Sequence, residues 1–438
     1  MTAFFRKAWL PLVIGAALSA FYFWGLARVP FHPDESTYLW MSADFQTLIS
    51  DPLALAWRAD QPDDLRQRYR LIDAPMTRTL LGLSQWAFGA PPQKSDWDWS
   101  KTWAENQAAG ALPEPRARLI GRGVLALLFP LDLLLIYRLG LRLRGPAAGA
   151  LAMILFGLNA LILLHTRRAM AEAALVTGAL LAVWSLVEMR SHAWLAGSTL
   201  ALAVSAKQTA AVLLPIGLLA AALPSTACER EPQSRALALG WRWAQLLGAF
   251  ALVTLVLNPV SWNAPWRAAQ AGWQERQDLL ARQTADYASL QPESALDTPA
   301  RKAAALLAHL YLTPPAFAET ANYQAETRLS EQAYLSIPGH NLLRGLLAGG
   351  AMFALTLAGI SLALLDLRRK ELQARLDILI VLAATLALGL ALFLLVPLPW
   401  QRYVAPLVPL TCLWIAYALA SFAALIAQSF RDNKKTAT

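Results

Sequence analysis

Two adjacent carboxylates, Asp34 and Glu35, follow the first apolar stretch of this chain within seven positions, in the run Phe31-His32-Pro33-Asp34-Glu35-Ser36. Acids so close to lipid are costly, because burial disfavours their charged forms. A carboxylate within hydrogen-bond reach of a hydroxyl takes its proton as that oxygen attacks. Asp34 is therefore the candidate base. It follows Pro33, so it also reads as the cap of a helix over 35–49, a compatible role that uses other lone pairs. Asp73, in Asp73-Ala74-Pro75-Met76, stands in the same relation to a second helix from Pro75 through Phe88,. Helix capping is its competing role. Together, Asp34 and Asp73 offer acids that hold a divalent cation or orient a sugar. The His and Cys spacing of a zinc site is missing from the sequence,.

The basic candidates lie far away in sequence. Lys207 divides two short apolar stretches and is followed by Gln208 and Thr209. A buried ammonium needs an anion, whereas a lysine at a helix end ordinarily snorkels to the headgroups. The polar neighbours favour a phosphate ligand. Arg402 and Tyr403, in Pro399-Trp400-Gln401-Arg402-Tyr403, stand at the matching end of the last apolar stretch. Arginine presents a planar fork suited to phosphate oxygens. Arg168 and Glu172 are four apart, which predicts an intrahelical ion pair, with a local anion at Arg167 and Arg168 as the alternative. Asp132 is an acid within the second apolar stretch and is expected to pair inside the bundle. His32, His165, His309 and His340 are scattered without a ligand pattern.

Composition says what must position these residues. The 438 residues are 57% hydrophobic and 15% charged, with mean hydropathy +0.40. Soluble domains carry about 25% charged residues, so this is a membrane chain. Apolar stretches fall at 8–27, 119–139, 147–164, 169–188, 192–206, 208–223, 239–257, 342–364, 376–396 and 403–427. Most approach the roughly 20 residues needed to cross the hydrocarbon core. Counting 192–223 as two spans puts Arg6 and Lys7, Arg138, Arg142 and Arg144, Arg190, Arg230, Arg235 and Arg242, Arg368 to Lys370 and Arg375, and the terminal Arg431, Lys434 and Lys435 on one side. That is the Lys and Arg excess of cytoplasmic loops. One span would turn the 368–375 cluster outward. Two spans are predicted, with both termini cytoplasmic.

The net charge of +9 belongs mostly to those loops, so nucleic acid is not the expected partner. The first stretch is long and lacks an A-x-A cleavage site, unlike a secretory signal. Cys228 and Cys412 lie on different elements, and no disulfide is expected,. Two long segments face outward in this topology, 28–118 and 258–341, within one domain spanning 1–438. Each carries tryptophans: Trp97, Trp99 and Trp103 in the first, Trp262, Trp266 and Trp273 in the second. Anchoring at the headgroup layer is the ordinary role for such indoles, with packing on a sugar as the alternative. The first segment reads as two amphipathic helices along the bilayer, the second as helical pieces broken by prolines.

Taken together, these residues resemble a family. The chain is similar to the GT-C membrane glycosyltransferases, in particular the branch of protein O-mannosyltransferases and the lipid A aminoarabinose transferase. The pieces are Asp34-Glu35 after the first span, Asp73-Ala74-Pro75-Met76, Arg168 with Glu172, Lys207 ahead of Leu213-Leu214-Pro215, and Arg402-Tyr403-Val404-Ala405-Pro406-Leu407. The second acidic run departs from the family, which commonly has two prolines and a basic or histidine neighbour where this chain has Ala74 and a single Pro75. The resemblance implies an all-α bundle of about ten transmembrane helices. It also implies transfer of one sugar, with inversion, from a polyprenyl-phosphate carrier to a lipid, glycan or protein acceptor on the outer face of a bacterial inner membrane. Asp34 corresponds to the base. Lys207 and Arg402 correspond to lipid-phosphate contacts, and Glu35, Asp73, Arg168, Glu172 and Tyr403 to further substrate contacts. No cofactor is implied with certainty, though a divalent cation near Asp34 and Asp73 is compatible.

The chemistry agrees with this assignment. A phosphate monoester is already a weak base and leaves without protonation, provided cations meet the charge that collects on it. Two other classes compete. A secondary transporter for an anion predicts charges at the midplane and paired halves, neither of which the sequence has. A non-catalytic lipid-sugar binding or flipping protein predicts binding without turnover.

Overall fold

The computed structural model describes residues 2–223, 232–292, 295–318 and 323–436. All regular structure among them is helical. Helices long and apolar enough to cross a membrane cover Trp9–Arg28, Pro115–Arg144, Ala171–Glu188, Ala236–Leu257, Leu346–Asp366, Leu372–Leu395 and Gln401–Asn433. Shorter apolar helices cover Pro146–Gly157, Ala193–Ala206 and Gln208–Ala222. The chain is an all-helical integral membrane protein, as read from its sequence. Cys228 and Arg230 lie outside the described residues.

Several spans are broken where the sequence reads as continuous. The second pauses between Ala126 and Phe129, and the third between Gly157 and Ala160, where Asn159 caps the next turn through the N–H groups of Leu161 and Ile162. The last begins as a 3₁₀ stretch, Gln401–Leu407, before the helix Val408–Thr436. Small residues let these elements touch. A Cβ on Gly359 would fall 1.9 Å from the Trp414 carbonyl oxygen, so the helices of these two residues meet backbone to backbone.

The stretch 192–223 is two apolar helices, as read from the sequence. The helix Ala193–Ala206 ends at Lys207, whose backbone is extended, and the chain continues through a 3₁₀ turn into the helix Leu214–Ala222. Arg242 donates to the carbonyls of Leu223 (2.9 Å) and Arg190 (2.8 Å), which puts those two residues at one end of the bundle. Lys207 lies at the other. The arginine-rich end holds further pairs. Asp377 receives Arg142 and Arg190, both at 2.7 Å, and Asp366 receives Arg144 at 3.0 Å. Of the basic residues predicted to share a side, Arg142, Arg144, Arg190 and Arg242 lie together at this end.

The two long segments, 28–118 and 258–341, share the Lys207 end. Arg68 donates to Glu275 at 2.9 and 2.6 Å, and Trp57 N–H donates to the Val260 carbonyl at 3.0 Å. An aromatic cluster joins them as well, Trp97 lying 6.2 Å from Tyr323 and 5.6 Å from Trp103. Trp97 is thus a buried packing residue, whereas Trp266 and Trp273 are exposed, as anchors are. The predicted helix 35–49 is two helices, Pro33–Met41 and Asp44–Ser50, while the second predicted helix runs Pro75–Ala87.

Candidate active site

The cap of the first of these helices is His32, not Asp34. Its ring Nδ1 accepts from the Asp34 N–H at 3.1 Å, and Glu35 Oε2 accepts from the His32 N–H at 3.2 Å, completing a capping box,. Pro33 fills the first helical position,. Asp34 is left with a carboxylate free of capping duty. That carboxylate closes an ion pair with the Arg402 guanidinium.

Arg402 leads to the remaining cations. Its guanidinium carbon lies 5.8 Å from the centre of the Tyr403 ring and 4.9 Å from that of Trp400. Lys207 Nζ sits 5.0 Å from the same Tyr403 ring and donates to Glu172 Oε1 at 3.0 Å. Asp34, Arg402, Tyr403, Lys207 and Glu172 thus form one contiguous charged cluster, drawn from four separate places in the chain. The predicted Arg168–Glu172 pair does not form, since Glu172 spends its contact on Lys207. Aromatic faces between the two cations give each a favourable quadrupole partner.

Asp73 closes one edge of this cluster. It is not a side-chain cap either, because the helix Pro75–Ala87 starts from Ala74. Burial raises the Asp73 carboxyl above the ordinary range, Arg276 and Arg78 pull it back, Asp34 pushes it up and Lys207 lowers it. Two residues absent from the sequence prediction belong here. Tyr38, one turn after Asp34, has its phenol pushed well up by burial and then by Asp73, Glu172 and Asp34. Asp96 accepts from Tyr69 Oη (2.7 Å) and Thr37 Oγ1 (2.6 Å), and burial raises its carboxyl. The i, i+4 spacing from Asp34 to Tyr38 was available in the sequence as a signal.

Two predicted substrate contacts, Glu35 and Arg168, are buried against the scaffold. Glu35 is completely buried, and both its oxygens receive Arg122 at 2.7 Å, with the Ala169 N–H at 2.9 Å on Oε1. Burial alone would raise this carboxyl, but Arg122 outweighs it and the group falls to about 2. Arg122 also donates to the carbonyls of Leu26 (2.9 Å) and Val29 (2.8 Å), fixing the link between the first span and Asp34. Arg168 is fully buried and donates to the Phe317 carbonyl at 2.8 Å, and Arg167 donates to those of Tyr22 and Phe21. A lone arginine in an apolar stretch, as Arg122 is, signals such a clamp. Asp132 faces Thr177 and has no basic partner among the described residues. Nor do the described residues group three His, Cys, Asp or Glu side chains in a way that would hold a metal ion, Asp34 and Asp73 included.

Comparison with known proteins places the fold. The model of the dolichyl-phosphate-mannose-protein mannosyltransferases matches residues 65–258, just under half of the chain. No curated protein matches in sequence. Among solved structures, the archaeal oligosaccharyltransferase AglB of Archaeoglobus fulgidus, in complex with an inhibitory peptide and a dolichol-phosphate, superposes with a TM-score of 0.52 at 13% identity. The match covers 98% of this chain and 52% of that one. The apo form of the A. fulgidus oligosaccharyltransferase gives 0.52 at 12% identity, again over 98% and 52%. Its complex with zinc and sulfate gives 0.50 at 13% identity, over 96% and 51%. The chain spans about half the length of these relatives. It is a polytopic helical membrane protein whose fold is that of the A. fulgidus oligosaccharyltransferase, and it resembles the dolichyl-phosphate-mannose-protein mannosyltransferases over residues 65–258.

Proposed function

We propose that this chain is an inverting glycosyltransferase that moves one sugar from a polyprenyl-phosphate carrier to a lipid, glycan or protein acceptor at the outer face of a bacterial inner membrane. The observation that carries this reading is the single cluster of Asp34, Arg402, Tyr403, Lys207 and Glu172 at the end of the bundle roofed by the two long segments. Asp34 takes the acceptor hydroxyl proton as the acceptor oxygen bonds to the anomeric carbon. The bond from that carbon to the phosphate oxygen breaks, and its electron pair leaves on the carrier phosphate. Lys207 and Arg402 neutralise that charge. One displacement of this kind inverts the centre. The arginine-rich opposite end is the cytoplasmic one in this reading.

The Asp34–Arg402 pair adds a step. In an inverting displacement the base and the leaving group lie on opposite faces of the sugar, so Arg402 must leave Asp34 for the carrier phosphate when the donor enters. Arg402 then frees the base at the moment it grips the leaving group. Purified protein in lipid, given a labelled polyprenyl-phosphate sugar and envelope acceptors, is expected to transfer label, and Asp34→Asn to lose it. Equal transfer by both proteins would remove Asp34 from the role.

A further inference from the structure

The helix that presents Asp34 starts from a side chain seldom found in that place, since Ser, Thr, Asn and Asp lead at helix starts. His32 caps it with ring Nδ1, which accepts from the Asp34 N–H at 3.1 Å, and Pro33 fixes the backbone between the two residues,. A ring nitrogen that accepts this bond carries no proton, so His32 is neutral here and its proton stands on Nε2. The same Nδ1 lies 3.8 Å from Asp34 Oδ1, while the Arg402 guanidinium lies against Oδ2. One carboxylate oxygen is therefore turned to a neutral ring and the other to a cation. A proton on Nδ1 would meet the Asp34 N–H donor to donor and would pair with Oδ1. It would uncap the helix and occupy the base in one step.

The ring is held from several directions. It is completely buried. Its own backbone N–H donates to Glu35 Oε2 at 3.2 Å, and Arg122 clamps that carboxylate at 2.7 Å. Tyr323, from the second long segment, meets the ring edge to face with centroids 6.0 Å apart. Trp97, from the first, lies 6.2 Å from Tyr323 and 5.9 Å from Phe31, the residue before His32. Both segments thus pack on the ring that seats the Asp34 amide. Arg402 reaches Asp34 from the far end of the sequence, so their pairing depends on where that amide stands. A misplacement of about 1 Å costs roughly 10²-fold in rate. We infer that His32 is a positioning residue for Asp34: its neutral ring seats the Asp34 backbone and leaves the carboxylate charge to Arg402 and the acceptor hydroxyl. The inference rests on the proposed role of Asp34 as the base.

The test separates the acceptor atom from the ring that carries it. His32→Asn keeps an acceptor on Cγ and loses the ring, whereas His32→Leu keeps most of the volume and loses the acceptor. The full chain in lipid is given a labelled polyprenyl-phosphate sugar and envelope acceptors, and hydrogen exchange at the Asp34 amide is followed without substrate. His32→Leu is expected to lower kcat about tenfold to a hundredfold with KM for the donor unchanged. It is also expected to speed exchange at that amide about fivefold, the worth of a lost cap. His32→Asn is expected to keep both near the wild type. Added to Asp34→Asn, His32→Leu is expected to cost no further rate, because it acts through that carboxylate. Wild-type kcat or wild-type exchange in His32→Leu overturns the inference. So does a loss of kcat in His32→Asn as deep as in His32→Leu, which would leave the ring a packing role alone. Equal transfer by wild type and Asp34→Asn overturns the base assignment and this inference with it, an outcome read without any His32 variant.

Discussion

Arg402 closes an ion pair on Asp34 across 368 positions of sequence. The residue proposed to activate the acceptor and a residue proposed to hold the leaving phosphate are thus each other's partner before any substrate arrives. Arg402→Met and Asp34→Asn are each expected to lower kcat by about 10²–10⁴-fold, the span typical of losing a positioned base or charge stabiliser. The double variant is expected to fall far short of the product of the two, because the residues act as a unit. Single-turnover rates for all four proteins check this, and full additivity would separate the two roles.

Lys207→Met is expected to raise KM for the lipid-linked donor at least tenfold. It leaves Glu172 buried with its cation gone, so the unfolding midpoint should also fall,. Lys207→Arg keeps the charge and should recover much of both. Donor titrations beside thermal unfolding in the same detergent distinguish the two effects.

The Glu35–Arg122 pair gives a different signature. Breaking a buried pair by removing one member costs about 3–5 kcal/mol, so Glu35→Gln is expected to unfold far more readily than Asp34→Asn. The pH dependence follows from the carboxyl lying at about 2 in the folded chain against an ordinary 4.5. A depressed carboxyl contributes stability that is full above 4.5 and is lost as pH falls toward 2,. Acid unfolding followed between those values should be steeper for the wild type than for Glu35→Gln.

Asp73 has the opposite sign. Its folded carboxyl is raised by burial, so its charged form weighs against folding as pH rises past the ordinary aspartate range,. Asp73→Asn should therefore unfold no more readily than the wild type at neutral pH. Loss of transfer with stability retained would mark Asp73 as a substrate-binding group, and retention of both would make it a bystander. Tyr38→Phe is expected to follow the first pattern, with kcat reduced and the unfolding midpoint unchanged.

How much of this was legible in the sequence depends on the range of the interactions. The apolar stretches and the break of 192–223 into two helices were readable, since hydropathy and the placement of Arg and Lys are local signals,. The Pro75 helix was readable from its first residue. The 33–50 region was misread as one helix because its apolar spacing continues across the break at Ser42 and Ala43. Asp34 was read as the cap because His32 is an uncommon one, and only coordinates reveal a ring nitrogen in that place. Glu35 looked functional because its partner lies 87 positions away on another helix. The Arg168–Glu172 pairing was a sound inference from spacing, but Lys207 arrives from 35 positions further on and takes the glutamate.

The arrangement around Tyr403 has a kinetic consequence. Both of its flanking cations already hold a carboxylate, so in the proposed reaction a carrier phosphate would swap one oxyanion for another and not fill a bare positive hollow. The cluster would then behave as an ion exchanger: binding would be driven only by the difference between two pairings, and the spent carrier would be readily displaced by the returning carboxylates. Turnover at such a site would be favoured by weak retention of what has already reacted.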